Sequence, residues 1–164
     1  MTAKIKFAKI RPEAIIPTKR DEDAGFDIYA CFDEDYIKLD PHETKMIPTG
    51  IASACDKDYC LILKERGSTG TKGIAQRCGI IDSGYRNEWF VPITNTTTKT
   101  LIITKNPPSE ISPYSSVVYY PANKAICQAL VILVPTCDVE VVPYDELKQI
   151  SSERGMGALG SSNK

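Results

Sequence analysis

Four acidic or basic groupings in this chain have the residue types and spacing for chemistry on a phosphate ester. Asp82 stands between the apolar Ile81 and a Ser83-Gly84 pair. That context suits a carboxylate at the mouth of a hairpin, partly shielded, where it can take a proton from water; an Asx turn would use the same residues. Arg66, Gly67 and Ser68 form one short polar stretch, and Arg154 precedes a Gly-rich run that ends in Ser161 and Ser162. Glycine lets backbone N–H groups approach a phosphate, hydroxyls donate to its oxygens, and arginine does so bidentately. Asp27, after Gly25 and Phe26, is placed to serve a hard cation. The Arg66 stretch lacks the Gly-x4-Gly-Lys spacing of a Walker A loop, and strand-like runs flank it. Each grouping taken alone is equally a solvated turn.

The elements that must position these residues read as short strands. Trp89, Val91 and Ile93 alternate with Glu88, Phe90 and Thr94, and Ile37 and Leu39 alternate with Lys38 and Asp40. Further runs rich in Ile, Val, Thr and Tyr span Ile51–Cys55, Tyr59–Leu63, Thr100–Thr104, Val117–Tyr120, Ala125–Val134 and Val139–Val142. Only Tyr144–Ile150 reads as helix. Eleven prolines and ten glycines, spread along the chain, argue against long helices. The expected class is all-β, a sandwich or barrel of many short strands. Residues 106–121 hold four prolines and predict an irregular excursion. Residues 1–150 are read as one β domain. From Ser151 to Lys164 the composition turns to Ser, Gly and charge, which predicts a flexible tail.

Composition excludes several classes of function. At 164 residues, 42% hydrophobic and 25% charged, the chain is sized for one domain with a real core. A formal net charge of −1 and no Lys/Arg run argue against nucleic acid as a partner, so a polyanionic ligand must be met by a few placed cations. No stretch is long and apolar enough to span a membrane, and the first residues lack a secretory h-region. The expectation is a soluble cytoplasmic protein, or one in the nucleus or cytoplasm of a host cell if the chain is viral. Six cysteines occur without a C-x-x-C pair, and His42 is the only histidine. Structural zinc is not expected, and the cysteines are read as reduced core thiols.

Five stretches in order resemble the five motifs of trimeric dUTP diphosphatases. Ala24-Gly25-Phe26-Asp27-Ile28 resembles the first and Glu65-Arg66-Gly67-Ser68 the second. Gly79-Ile80-Ile81-Asp82-Ser83-Gly84-Tyr85-Arg86-Asn87-Glu88 is a near match to the third. Asn123-Lys124-Ala125-Ile126-Cys127-Gln128 is similar to the fourth, and the run from Arg154 to Ser162 to the fifth. The resemblance implies a distorted β-barrel or jelly-roll of the dUTPase-like β-clip kind. It further implies a homotrimer with active sites between subunits, and a C-terminal tail that closes over the nucleotide. The activity implied is Mg²⁺-assisted hydrolysis of dUTP to dUMP and pyrophosphate. Asp82 would deprotonate the attacking water, and Tyr85 would lie against the deoxyribose. The backbone of Gly79, Ile80 and Ile81 would pair with uracil. Arg66, Gly67, Ser68, Gln128, Arg154, Ser161 and Ser162 would hold the phosphates, with Gln128 also supporting the metal shell. Asp27 would position Mg²⁺ through water.

The chain departs from that pattern at named positions. Gly67 stands where a serine is usual, Glu65 where proline is, and Asn87 where glycine is. Asn123, Lys124 and Ala125 replace the usual Gly-Asp/Glu-Arg. Leu159 replaces an aromatic that commonly stacks on the base, which predicts a weaker grip, since such stacking is worth about 1–3 kcal/mol. Two other readings compete for the same residues. A dCTP deaminase of the same fold needs a glutamate at the position that Pro92 holds here, and proline cannot move a proton. A dUTP-sensing regulator would not require the water-activating carboxylate.

Overall fold

Trp89, just before one strand, and Val91 and Ile93 within it point inward, and Leu39, Leu101 and Ile103 do so along two others; all are 0–1% exposed. That alternation of apolar and polar residues builds the core. A computed structural model of the chain describes residues 3–157. The strands are β1 (Ile5–Lys9), β2 (Gly25–Ile28), β3 (Tyr36–Leu39), β4 (Thr44–Pro48), β5 (Ile51–Cys55) and β6 (Tyr59–Lys64). After a one-turn helix α1 (Gly67–Gly70) come β7 (Ile74–Gln76), β8 (Ile80–Ile81), β9 (Phe90–Asn95), β10 (Thr100–Thr104), β11 (Val117–Pro121) and β12 (Cys127–Leu133). A second helix, α2 (Tyr144–Gln149), follows.

The strands form four small sheets around one core: β1-β5, β11-β10-β3, β2-β12-β6-β8 and β4-β9-β7. Among the described residues the ladders do not close into a barrel, which is the distorted jelly-roll arrangement expected. All pairings are antiparallel except β10 with β11. A parallel pair needs a crossover, and the proline-rich residues 105–116 supply it without regular structure. Trp89 packs its ring edge-on to Phe7 at 5.8 Å. Asn95, 1% exposed, ties two turns together: its side-chain amide donates to Leu39, Asp40 and Lys99 carbonyls at 2.7–3.2 Å. Its side-chain oxygen accepts from the Thr97 backbone and hydroxyl. A buried amide is tolerated because its hydrogen-bonding capacity is used.

Several expectations need correction. Val139–Val142 is not a strand: it has no ladder partner among the described residues, and Val139 and Val141 are 87% and 94% exposed. Alternation there reflects apolar residues that this chain alone does not cover. Of residues 134–157, only Val142 is not exposed. Nor are all the thiols in the core. Cys31 and Cys127 are buried, Cys55 and Cys60 half-buried, and Cys78 and Cys137 exposed. No described helix is long and apolar enough to cross a membrane.

Burial pushes the Cys31 and Cys127 thiols up from their usual range, Cys127 strongly. The thiolate is the reactive form, so both are expected to resist a thiol reagent in the native protein while exposed Cys137 reacts at once. Mass spectrometry of the labelled chain checks this; modification of Cys127 before unfolding would contradict the packing described.

Candidate functional site

Asp27 lies within β2, opposite Gln128 of β12, which in turn faces Lys64 at the end of β6. Two residues past Lys64 the chain leaves the sheet at Arg66, whose backbone is clamped by Thr69. The Arg66 N–H donates to the Thr69 hydroxyl at 3.2 Å, and that hydroxyl donates back to the Arg66 carbonyl at 3.0 Å. Thr69 is fully buried, so its hydroxyl is spent on structure, and Ser68 alone has an exposed hydroxyl in this stretch. With its backbone fixed, Arg66 reaches across the sheet end. Its Nε lies 3.0 Å from the Asp27 carboxylate, and one terminal nitrogen donates to the Ala125 carbonyl at 3.3 Å and to Ser68 Oγ at 3.4 Å. Gln128 donates to the Glu65 carbonyl at 2.9 Å. A Cβ on Gly25 would come to 3.0 Å of Gln128 Oε1 and 3.1 Å of its Cβ, so any larger residue there would press on Gln128.

Together Asp27, Arg66 and Gln128 line a cavity of about 470 Å³. Two cationic residues of that cavity were not singled out from sequence: Lys19 and Arg20. Lys19 Nζ collects the Arg20, Asp21 and Asp23 carbonyls at 2.9–3.3 Å. Arg20 holds Asp23 through two contacts of 2.8 Å, and this guanidinium keeps the Asp23 carboxyl below its ordinary range. Their signal in the sequence was a basic pair just before the first Gly-Phe-Asp stretch. Three cations thus converge on one polar cavity in a chain of net charge −1. The cavity's two carboxylates, Asp23 and Asp27, are both half-buried and paired with Arg20 and Arg66, and no group of three or more His, Cys, Asp or Glu that could hold a metal occurs among the described residues.

The second group sits on the other edge of β6. Leu61 and Ile62 pair with Ile81 and Ile80 of β8. The chain then turns, with the Tyr85 N–H donating to the Asp82 carbonyl at 3.0 Å. Arg86 is the turn's internal strut: its guanidinium takes the Ser83, Tyr85 and Ser53 carbonyls at 2.6–3.4 Å. Tyr85 donates its hydroxyl to the Glu88 carbonyl at 3.0 Å. Asp82 and Tyr85 line a second cavity, of about 280 Å³, with Leu63, Ile80, Phe90 and Pro92. This cavity is mainly apolar, and Ile80 is 69% exposed beside it. Asp82 is exposed in the single chain, not partly shielded as expected; of the two β8 residues before it only Ile81 is buried, and none of the described residues covers the carboxylate.

Neither of these two cavities is lined by both Arg66 and Asp82. The β2-β12-β6-β8 order puts Asp27 three strands from β8, and Asp82 lies four residues along from the row through Asp27, Gln128 and Lys64. With the ordinary strand spacing and rise, Asp27 and Asp82 of one chain stand roughly 20 Å apart. Arg154 donates to the Gly157 carbonyl at 3.1 Å, and neither of the two cavities is lined by it. Ser161 and Ser162, like Leu159, lie outside the described residues.

Comparison with known proteins bears on this arrangement. The dUTPase family pattern matches residues 11–107. A deoxyuridine 5′-triphosphate nucleotidohydrolase of Nautilia profundicola is 30% identical over 98% of this chain and 99% of its own. One from Leptospira interrogans is 34% identical over 61% of this chain and 71% of its own. Among solved structures, the dUTPase of Staphylococcus bacteriophage 80alpha with dUPNHPP superposes with a TM-score of 0.75 at 23% identity, covering 98% of this chain and 99% of that one.

Gly79 and Gly84 separate conformational need from coincidence in the hairpin. Gly79 has φ +141°, and a Cβ there would meet the Leu63 carbonyl at 2.9 Å; one on Gly84 meets nothing within 4 Å. Gly79→Ala is expected to cost about 1–3 kcal/mol, and Gly84→Ala less than about 0.5 kcal/mol. Urea denaturation checks both, and equal costs would contradict the backbone geometry given.

Proposed function

The chain belongs to the dUTPase family, and we propose that it hydrolyses dUTP to dUMP and pyrophosphate at a site shared between copies. The observation that carries this reading is the second cavity, where an open carboxylate, Asp82, stands beside the Tyr85 ring and the Gly79–Ile81 backbone. In the proposed reaction the uracil lies against that backbone and the deoxyribose against Tyr85. Asp82 takes a proton from a water whose oxygen attacks the α-phosphorus. The bond from that phosphorus to the bridging oxygen breaks, and pyrophosphate leaves.

Reacting atoms must lie within about 3–3.5 Å, whereas Arg66 is paired with Asp27, which strand spacing and rise put roughly 20 Å from Asp82 of the same chain; the two halves of one chain are therefore read as serving different α-phosphates. We therefore assign Arg66, Ser68, Gln128 and the backbone at Gly67 to one copy, and Asp82 and Tyr85 to a neighbour. A homotrimer, the assembly the family resemblance implies, gives every site the same contributors. Arg154, with Ser161 and Ser162, is assigned to the closing tail, which orders the phosphates and excludes water. Displacement at phosphorus needs charge neutralisation and alignment more than covalent help. Mg²⁺ fits the donor set, because it is held largely by phosphate oxygens and waters and needs few protein ligands. Asp27 would hold it through water, and when bound it supplies positive charge to the phosphoryl oxygens. No partner in nucleic acid or membrane is invoked. The cytoplasm, or the host nucleus or cytoplasm for a viral chain, is the proposed place of action. Pro92 lines the Asp82 cavity where a deaminase needs a proton carrier, and this favours hydrolysis over deamination.

Asp82→Asn keeps the side chain's shape and removes the base. Pyrophosphate release from dUTP should fall at least about 10²–10⁴-fold, with KM changed only a few-fold and EDTA abolishing the wild-type rate. A variant that turns over at the wild-type rate would remove Asp82 from the reaction.

A further inference from the structure

Gln76 ends β7 and is 6% exposed, a polar side chain inside the body. Its Nε2 donates to the Arg77 carbonyl at 2.7 Å and also to the Cys78 carbonyl. The next carbonyl, of Gly79, accepts from the Leu63 N–H at 2.7 Å. Three successive carbonyls are thereby turned into the protein. In a planar trans peptide the following N–H points the opposite way. The N–H groups of Cys78, Gly79 and Ile80 are therefore turned away from Gln76 and β6.

This backbone is not one the chain adopts freely. Cys78 has φ +56° and Gly79 φ +141°. A left-handed conformation is disfavoured for a residue with a Cβ, so something must hold it, and Gln76 is the side chain bonded to it. Cys78, Gly79 and Ile80 form a wall between two spaces. Gln76 lines only the cavity of about 650 Å³ on one side, and Asp82 and Tyr85 line only the one of about 280 Å³ on the other. N–H groups turned from Gln76 are the donors such a wall offers to the Tyr85 side. Successive N–H groups of this kind favour an acceptor atom.

We propose that Gln76 is a positioning residue for base selection. By holding the Arg77 and Cys78 carbonyls inward, it presents a row of N–H donors that accepts a pyrimidine with a keto oxygen at position 4 and rejects one with an amino group there. A donor facing a donor leaves both unpaired. This rests on the reading that the chain binds dUTP. Gln76 touches no reacting atom; it acts through the 77–79 backbone.

The test uses the full-length chain with Gln76→Glu and Gln76→Met. Each keeps the approximate size, and neither donates as the amide does at pH 8. Steady-state kinetics with dUTP and dCTP should show KM for dUTP raised about tenfold, kcat changed less than about threefold, and the dUTP/dCTP ratio of kcat/KM lowered about tenfold. The glutamate variant carries a further signature. Burial beside two carbonyls raises a carboxyl's pKa, and its protonated form regains one donor. Its KM should therefore recover several-fold from pH 8 to pH 6 relative to wild type, and that of Gln76→Met should not. Melting curves establish folding; if Gln76→Glu does not fold, the KM against kcat split of Gln76→Met decides. Wild-type KM and base ratio in the folded variants, or a loss in kcat with KM unchanged, overturns the role of Gln76. Absence of dUTP turnover by the wild-type chain would instead overturn the function on which it rests.

Discussion

Strand β6 is hydrogen-bonded along both edges, to β12 on one side and β8 on the other. It has two adjacent positions for the two halves of the candidate chemistry, and they face apart. Beyond its far end stands Arg66, reaching over β12 to Asp27 on β2. Along its other edge it fixes Ile80 and Ile81, and through them the turn that holds Asp82 and Tyr85. A sheet cannot bring residues on opposite edges of one strand onto one phosphorus without breaking the ladder. The proposed site between copies follows from this constraint, as does the open state of Asp82 in a single chain. Apolar side chains such as Ile80 at 69% exposure, and Val139 and Val141 further on, are those a neighbouring copy would have to cover.

Electrostatics in the polar cavity follow a related logic. Its cations are engaged before any ligand arrives: Arg66 with Asp27, Arg20 with Asp23, and Lys19 with three carbonyls. The Arg66–Asp27 pair is about one-third exposed on each side, so water weakens its attraction. Under the proposed reading a triphosphate takes over the guanidinium, and Asp27 is released to the water shell of a cation. The near-zero net charge of the chain is then no obstacle, because neutralisation is local and comes from a few placed groups.

Much of this was legible from residue types. Ile51–Cys55 and Thr100–Thr104 are strands over the expected residues, and Tyr144–Gln149 is the expected helix within one residue, because alternation and turn residues are local signals. The Gly79–Tyr85 hairpin was legible because glycine and a Ser-Gly turn have few other uses. Val139–Val142 misled because alternation reports what must be covered, not by which chain. Cys78 and Cys137 misled because cysteine is buried on average and these two are not. The openness of Asp82 was hidden because Ile81 and the Ser-Gly turn report a hairpin and not how much of it the rest of the chain covers. Lys19 and Arg20 showed only as a basic pair, and Thr69 and Gln76 gave no readable signal, since these side chains act on backbone carbonyls or a carboxylate that only the fold brings near.

The claim that one catalytic unit draws on two copies can be tested by complementation. Asp82→Asn and Arg66→Ala chains, each inactive alone, are co-assembled at equal ratio and assayed for pyrophosphate release from dUTP. Sites built from Asp82 of one copy and Arg66 of another should restore about a quarter of the wild-type rate per site, by random assortment in a symmetric oligomer. A mixture shown to have exchanged subunits, yet as inactive as its two components, would contradict the account.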